Sequence, residues 1–288
     1  MTRIGADEPV LHVTNGDAVA AQIARAVRVA CADVLPWRDA LHDGPVPAGL
    51  GPDDLAGVRA AHLAARGWAD EAAALAGLRE RDGRLAARPE DAEVVLWFED
   101  DLYDALQLAQ IADRLAGCDG PVSIVHLRHP PRGDLAAAYA RREPFAPERN
   151  AFAALRSSDP RAWGAHAYMD RLLEELPDVN TGLSRLERQI LEAVAGFPLP
   201  PEALFGAVAE REDPPWLGDA TVFAAARGLH PLMVLADGRW ELASEGNAVL
   251  SGRATRAASD HWIGGVHLVP GDPGWAWDAE RREAVRTE

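Results

Sequence analysis

The sequence predicts an α/β fold followed by a smaller α+β domain, and three observations carry this prediction. Short β-type runs alternate with helical runs through the first 130 residues, the pattern of parallel strands joined by crossover helices. The run at residues 93–98 ends in four successive apolar residues, as expected for a strand covered on both faces. The last hundred residues show a different order, in which three helices precede a β-hairpin signal.

The first predicted domain, residues 1–130, is a Rossmann-like domain with a mainly parallel sheet. Its four β-type runs lie at residues 10–14, 33–37, 93–98 and 122–127. Helical periodicity fills residues 18–29, 53–67, 70–85 and 102–115. Since two of these helices lie between the second and third strands, they are predicted to form a helical insertion on one face of the sheet.

Residues 131–180 are predicted to be a helical connection. The chain is rich in proline and arginine up to about residue 158. One helix is then predicted for residues 160–176, and Pro177 stops it.

The second predicted domain covers residues 181–288. Ser184 and Glu187 form a capping box at the start of its first helix, residues 186–194. Further helices are predicted at residues 201–210, 219–227 and 245–250, a hairpin at 232–235 and 239–242, and terminal strands at 262–268 and 275–278. Three helices followed by a hairpin resemble a winged helix, a likeness of shape that implies little about function.

Composition narrows the function classes. The 288 residues carry a net charge of −16, and 48% of them are hydrophobic. No lysine occurs, and this absence excludes a phosphate-binding loop that uses lysine and a mechanism with a Schiff-base lysine. Cys31 and Cys118 suit a reducing compartment, and no signal peptide or run of 18 apolar residues is present, so a cytoplasmic protein without a membrane segment is expected. Residues 182–256 contain seven arginines and ten acidic residues, a net charge of −3, which makes nucleic acid an unlikely partner.

The first candidate site is the turn Asn15, Gly16 and Asp17, between the first strand and the first helix. Gly16 is predicted to adopt a positive φ, and Asp17 to cap the helix starting at residue 18. Free N–H groups at this helix start are candidates for binding a polar ligand. The alternative interpretation is a capped strand–helix turn without a ligand.

His42 and Asp43 form a second candidate in a loop that continues with Gly and Pro. Adjacent imidazole and carboxylate groups can bind a ligand or share a proton. The alternative is a structural turn, for which Asp followed by Gly is well suited.

The third candidate is the acidic cluster Glu99, Asp100 and Asp104, which follows the third strand at the edge where α/β sheets place their sites. These carboxylates are candidate ligands for a divalent cation, Mg²⁺ or Mn²⁺, and with Asp17 and Asp43 they are the candidate catalytic acids or bases. The alternative is that the helix dipole alone favours acids at this helix start.

Arg128 and His129 end the fourth strand and are candidate ligand-binding residues, with Arg128 as an anion clamp. His12, inside the first strand, is interpreted as a core histidine.

Residues 11–17, 39–45 and 95–104 together resemble a bacterial family of unknown function, domain-of-unknown-function family 1835. Residues 174–177, 182–188 and 262–268 resemble the C-terminal half of its longer members. The resemblance implies a strand leading into a Gly-Asp turn and a Trp-bearing strand leading into an acidic helix start, and it implies no activity.

The sequence therefore predicts a protein that binds, or also turns over, a small polar ligand such as a nucleotide at the carboxyl edge of the sheet. The alternative is a non-catalytic regulatory module that contacts a protein partner through its winged-helix-like domain, with DNA the less favoured partner.

Overall fold

A computed structural model describes residues 10–128 and 134–287 of the chain. The predicted ligand residue His129 lies outside these ranges. Within them, no helix has both the length and the apolar character needed to cross a membrane.

The described residues form the following strands and helices. The strands are β1 (Val10–Thr14), β2 (Val34–Pro36), β3 (Gly44–Pro45), β4 (Glu93–Glu99), β5 (Val122–Leu127), β6 (Glu143–Pro144), β7 (Met233–Ala236), β8 (Arg239–Leu242), β9 (His261–Gly264), β10 (Val266–Leu268), β11 (Trp275–Asp278) and β12 (Glu283–Arg286). The α-helices are α1 (Asp17–Val27), α2 (Pro52–Ala65), α3 (Glu71–Ala86), α4 (Leu102–Leu115), α5 (Leu135–Ala140), α6 (Asn150–Leu155), α7 (Asp170–Leu173), α8 (Arg185–Val194), α9 (Pro201–Ala209), α10 (Asp219–Gly228) and α11 (Ser244–Leu250). Short 3₁₀ helices lie at Cys31–Asp33 and Pro160–Ala165.

The chain divides into two compact units. Unit 1 contains the described parts of residues 1–40, 50–100 and 104–153. Unit 2 contains residues 41–49, 101–103 and the described residues from 154 onward. A mixed α/β architecture, predicted from the sequence, is confirmed.

Unit 1 is built on a five-stranded sheet in the order β2-β1-β4-β5-β6. The first four strands pair in parallel, with Val13 opposite Leu35 on one side and Leu96 on the other. The edge strand β6 runs antiparallel to β5 and was not predicted from the sequence. All four predicted strands are present.

Apolar side chains cover both faces of this sheet. Leu96 and Phe98 of β4 pack on one face with Leu85 of α3 and Ile111 of α4. On the other face, alternate residues of the same strand pack against α1. Because β4 is buried on both faces, its nearly continuous apolar run is explained, as the sequence predicted.

Helices α2 and α3 form the predicted insertion between the second and third strands of the sheet. They pack on each other through small residues, with Ala56 and Ala60 against Leu78. Asp70 caps α3 by accepting a hydrogen bond from the Ala73 backbone N–H at 3.0 Å.

Unit 2 contains the helices α8 to α11 and the β7–β8 hairpin, and α8 packs against α9, α10 and α11. The capping box at Ser184 and Glu187 is confirmed, with both reciprocal hydrogen bonds formed. Unit 2 also holds a three-stranded sheet in the order β10-β9-β3 and the separate hairpin β11–β12.

Two predictions for this region are wrong. Residues 160–176 do not form one helix, because Tyr168 has a left-handed φ of 64° and separates the 3₁₀ helix from α7. Residues 262–268 form two strands instead of one, because the chain turns at Gly264 and Gly265. A Cβ atom on Gly265 would lie 2.1 Å from the Arg156 carbonyl oxygen, so only glycine fits this close approach.

Candidate functional site

The candidate site lies in unit 1, at the carboxyl edge of the parallel strands. Because β1, β2 and β4 run in the same direction, the residues that follow them meet at one edge. Here this edge carries buried polar side chains, among them Asp39, Asp104 and Gln107, at 4%, 0% and 0% exposure. Buried polar groups of this kind need hydrogen-bond partners, so their contacts show how the edge is organised.

Asp104, on the first turn of α4, connects the ends of two strands. Its Oδ1 accepts a hydrogen bond from Asn15 Nδ2 at 2.9 Å, just beyond β1. Its Oδ2 accepts one from the backbone N–H of Glu99 at the end of β4. The carboxylate therefore fixes the start of α4 against the strand edge.

Two glutamines follow Asp104 along α4 at helical spacing, and the three residues form a polar stripe on this helix. Gln107 Nε2 donates to the Asp39 carbonyl oxygen at 2.8 Å, and Gln110 Oε1 accepts from Trp37 Nε1 at 2.9 Å. Both glutamines are buried. Helix α4 is thus buried nearly all round, and its polar face meets the chain segment after β2.

Asp39 is the centre of a buried ion-pair cluster. Arg59 of α2 donates from Nε and Nη2 to Asp39 Oδ1, at 3.0 and 2.8 Å, and also to the Ala40 carbonyl oxygen. Arg81 of α3 places Nη1 4.0 Å from Asp39 Oδ2, with its guanidinium 4.0 Å from the Trp37 ring centroid. One carboxylate therefore joins both helices of the insertion to the sheet edge.

Three oxygen atoms at this edge lack a hydrogen-bond partner among the residues that the structure describes. They are Thr14 Oγ1, Asp39 Oδ2 and Gln107 Oε1, and each is buried. Leaving such an atom unsatisfied costs about 1–3 kcal/mol. Thr14 ends β1, Asp39 follows β2 and Gln107 lies on α4, so all three oxygens belong to the same edge of the sheet.

The turn after β1 differs from its prediction. Gly16 is fully extended, with φ −177° and ψ 179°, so no positive φ is required there. Helix α1 begins at Asp17, so Gly16 is its N-cap residue, and the Asp17 carboxylate pairs with a residue outside the helix. It accepts two hydrogen bonds from Arg38 at 2.7 and 2.5 Å in an exposed pair, which holds the pKa of Asp17 below its ordinary value. Of the three turn residues, Asn15 is the one bonded to the buried network.

The three carboxylates of the predicted cluster, Glu99, Asp100 and Asp104, differ in burial and contacts. Asp100 pairs with His126 Nδ1 at 2.8 Å in an exposed position, whereas both Asp104 oxygens accept the hydrogen bonds described above. Glu99 is buried at the end of β4. Within residues 10–128 and 134–287, no group of three or more His, Cys, Asp or Glu side chains is arranged to hold a metal ion. The expected Mg²⁺ or Mn²⁺ ligand set is therefore not found there.

Arg128 is exposed just after β5. His12 is a core residue, as interpreted from the sequence. Its Nδ1 accepts a hydrogen bond from Trp97 Nε1 at 3.1 Å, and burial lowers its pKa from 6.5 to about 4. The ring is therefore neutral near pH 7.

His42 and Asp43 belong to unit 2. His42 Nε2 lies 3.0 Å from Thr221 Oγ1 of α10, and its ring centroid is 5.1 Å from that of Trp216 and 5.6 Å from that of Tyr103. Asp43 is half-buried beside Gly44, whose φ of 86° supports the predicted turn. These contacts favour the structural interpretation of the loop.

Neither a protein-family model nor a curated protein matches the chain. The resemblance to family 1835 therefore stays a prediction.

Sequence reasoning did not identify the residues that organise this edge, Asp39, Arg59 and Arg81. A usable signal was present, because Arg59 falls within the apolar stripe of α2, next to the buried Ala60. Arg81 likewise lies between buried Leu78 and Leu85 on α3. A long charged residue in an apolar stripe requires a buried partner, and Asp39 is that partner.

Proposed function

We propose that this protein binds a small polar ligand at the carboxyl edge of the unit 1 sheet. The observation that carries the proposal is the set of buried oxygens without donors, Thr14 Oγ1, Asp39 Oδ2 and Gln107 Oε1. Asn15 and Asp104 extend the same edge by their mutual hydrogen bond.

The chemistry of these atoms defines the ligand class. A carboxylate oxygen and an amide oxygen only accept hydrogen bonds, so the ligand must donate them. Hydroxyl and amino groups, as in the ribose and base of a nucleoside or nucleotide, supply such donors. A bare anion such as phosphate does not, and the adjacent Asp39 and Asp104 carboxylates oppose it. The proposal concerns binding and assigns no reaction.

Calorimetry with the full chain tests this proposal, with adenosine, AMP and ATP as probes, each with and without Mg²⁺. At least one nucleoside compound is expected to bind saturably, whereas inorganic phosphate does not bind. Gln107→Leu removes an acceptor, so the affinity is expected to fall about tenfold or more. Gln22→Leu, at an exposed glutamine of α1, is the matched control and should leave binding unchanged.

The proposal is wrong if no probe binds the wild-type chain. It is also wrong if Gln107→Leu and Gln22→Leu bind with equal affinity, since the ligand would then lie elsewhere.

For unit 2, we propose a winged-helix-like arrangement of α8 to α11 and the β7–β8 hairpin that contacts protein instead of DNA. Helix α10, in the place of a recognition helix, exposes Arg227 in its last turn as its one basic side chain and carries the acidic Asp219 at its start. Phe197 and Leu235 are 65% and 54% exposed, and apolar side chains of this size favour a protein surface. A gel-shift assay with random-sequence duplex DNA at physiological salt should show no complex; a complex lost in Arg227→Gln would contradict this proposal.

A further inference from the structure

Unit 2 contains a groove of about 810 Å³, whose walls include none of the described residues that the sequence predicted to bind a ligand. We call it the unit 2 groove. Its walls come from residues 174–183, the first turns of α8, residues 250–252 at the end of α11, and Trp277 of β11. A volume of several hundred Å³ is typical of sites for small molecules.

Arginines form one wall of the unit 2 groove. Arg188 Nη2 donates to Thr181 Oγ1 at 3.1 Å, and its side chain is 35% exposed. Arg185 donates from Nη1 to Glu174 Oε2 at 2.6 Å and is 34% exposed. Arg211 also lines the groove and donates to the Ala207 carbonyl oxygen. Three guanidinium groups thus border one space in a chain of net charge −16.

The acid nearest to Arg188 is engaged in fixing its own turn. Asp178 Oδ1 accepts hydrogen bonds from the backbone N–H groups of Asn180 and Thr181 and from the Thr181 hydroxyl. Its distance to Arg188 Nη2 is 3.6 Å, longer than a hydrogen bond. In the part of the chain that the structure describes, Nε and Nη1 of Arg188 donate to no protein group. The guanidinium is positioned by Thr181 and keeps donors for a ligand.

The lining also contains the acidic residues Glu174, Asp178 and Glu192, together with apolar side chains and one unsatisfied acceptor. Half-buried Trp277 supplies apolar surface, whereas Leu183, also in the lining, is only 1% exposed. Gln189, at 6% exposure, donates from Nε2 to Glu212, whereas its buried Oε1 has no donor among the described residues. The groove therefore combines cationic, apolar and hydrogen-bond-accepting groups.

We infer that the unit 2 groove binds a small aromatic acid that carries a hydroxyl group. Its carboxylate pairs with Arg188 and Arg211, and its ring packs against Trp277. The hydroxyl donates to Gln189 Oε1. Because acidic residues also line the groove, a ligand with one negative charge is favoured over a polyanion.

Calorimetry on the full chain with 4-hydroxyphenylacetate tests this inference. The probe is expected to bind saturably. Acetate carries only the carboxylate of the probe and p-cresol only its hydroxylated ring, so each should bind about tenfold more weakly or not at all. Arg188→Gln is expected to weaken binding of the probe about tenfold or more. The matched control Arg227→Gln changes an exposed arginine of the same unit outside the groove, and it should leave the affinity unchanged.

Arg211→Gln provides a second variant, since this exposed residue donates only to a backbone carbonyl and its loss should not affect folding. Asn15→Ala, in the sheet-edge site, should bind the probe like the wild type, which separates this inference from the proposed function. The inference is overturned if the probe does not bind, if acetate binds as tightly, or if the groove variants and Arg227→Gln have the same affinity.

Discussion

Asp39 in unit 1 and Glu212 in unit 2 are both buried carboxylates paired with arginine, but they differ in how fully they are hydrogen-bonded. Both oxygens of Glu212 accept from Arg171, at 3.0 and 2.7 Å, and further bonds come from Gln189 and Trp216. Asp39 accepts two hydrogen bonds from Arg59 on Oδ1, whereas Oδ2 faces Arg81 only at 4.0 Å.

The difference separates a structural ion pair from a candidate site. A fully bonded carboxylate such as Glu212 has no capacity for a ligand and holds its surrounding helices together. Burial alone would raise the pKa of Glu212, but the hydrogen bonds from Arg171 and Gln189 lower it below its ordinary value. Asp39 keeps an unsatisfied oxygen, as Gln107 and Thr14 do, which is the property expected where a ligand completes the network.

The largest expected effect comes from removing either carboxylate. Glu212→Gln removes one of the two carboxylates paired with buried Arg171 and leaves Glu175 as its remaining partner, so the free energy of unfolding should fall by about 3 kcal/mol. Asp39→Asn should lower the free energy of unfolding by less than Glu212→Gln does, because the Asp39 carboxylate accepts fewer hydrogen bonds than the Glu212 carboxylate. Urea denaturation followed by circular dichroism measures both, and equal losses would remove the distinction between the two carboxylates.

Mild acid should weaken unit 1 before it affects Glu212. The pKa of His12 is about 4 in the folded chain and 6.5 when exposed, so between these values the unfolded state takes up a proton that the folded state does not. The free energy of unfolding is therefore not reduced by His12 above pH 6.5. It falls by about 3 kcal/mol as the pH drops from 6.5 to 4. The pKa of Glu212 is lowered from 4.5 in the folded chain, so the stability that its charged form contributes is lost only as the pH falls below 4.5.

Thermal unfolding of wild type and His12→Gln across this pH range measures the effect. Glutamine keeps an acceptor for Trp97 but does not titrate, so the variant's stability should change less between pH 6.5 and 4. An unchanged slope would show that another group controls this range.

Two matched threonine variants test the satisfied and unsatisfied hydroxyls. Thr221→Val removes the hydrogen bond to His42 and should cost about 1 kcal/mol. Thr14→Val replaces a buried hydroxyl without a partner among the described residues, so stability should stay unchanged or rise slightly. Differential scanning calorimetry compares them, and a large loss in Thr14→Val would reveal a bonded hydroxyl and weaken the ligand proposal.

The smallest effect is expected at the surface. Asp53→Asn breaks the exposed pair with Arg79, and because water screens this pair the free energy of unfolding should stay at the wild-type value within the error of the measurement. A larger loss in the same denaturation assay would mean that pairing with arginine alone, independent of burial, explains the Asp39 and Glu212 results.

Local sequence patterns were sufficient for most elements of the fold. Alternating apolar runs located the four parallel strands, and Ser184 with Glu187 located the start of α8, because these signals depend on residues near each other in the chain. The strand β6 and the turn at Gly264 were not predictable in this way. Two residues of edge strand carry no periodicity, and Gly264 is required by the distant Leu155 backbone.

The sequence by itself determined that an α/β region with polar residues after its strands comes first, and that Asn15 and Asp104 lie at that edge. Only the tertiary structure decided which side chains are joined there. Arg59 and Arg81 reach Asp39 because two helices fold back over the sheet edge, and such long-range pairing leaves no trace in local spacing. The tertiary structure likewise leaves the Asp17–Arg38 pair exposed to water, whereas it buries Asp39 with one unsatisfied oxygen.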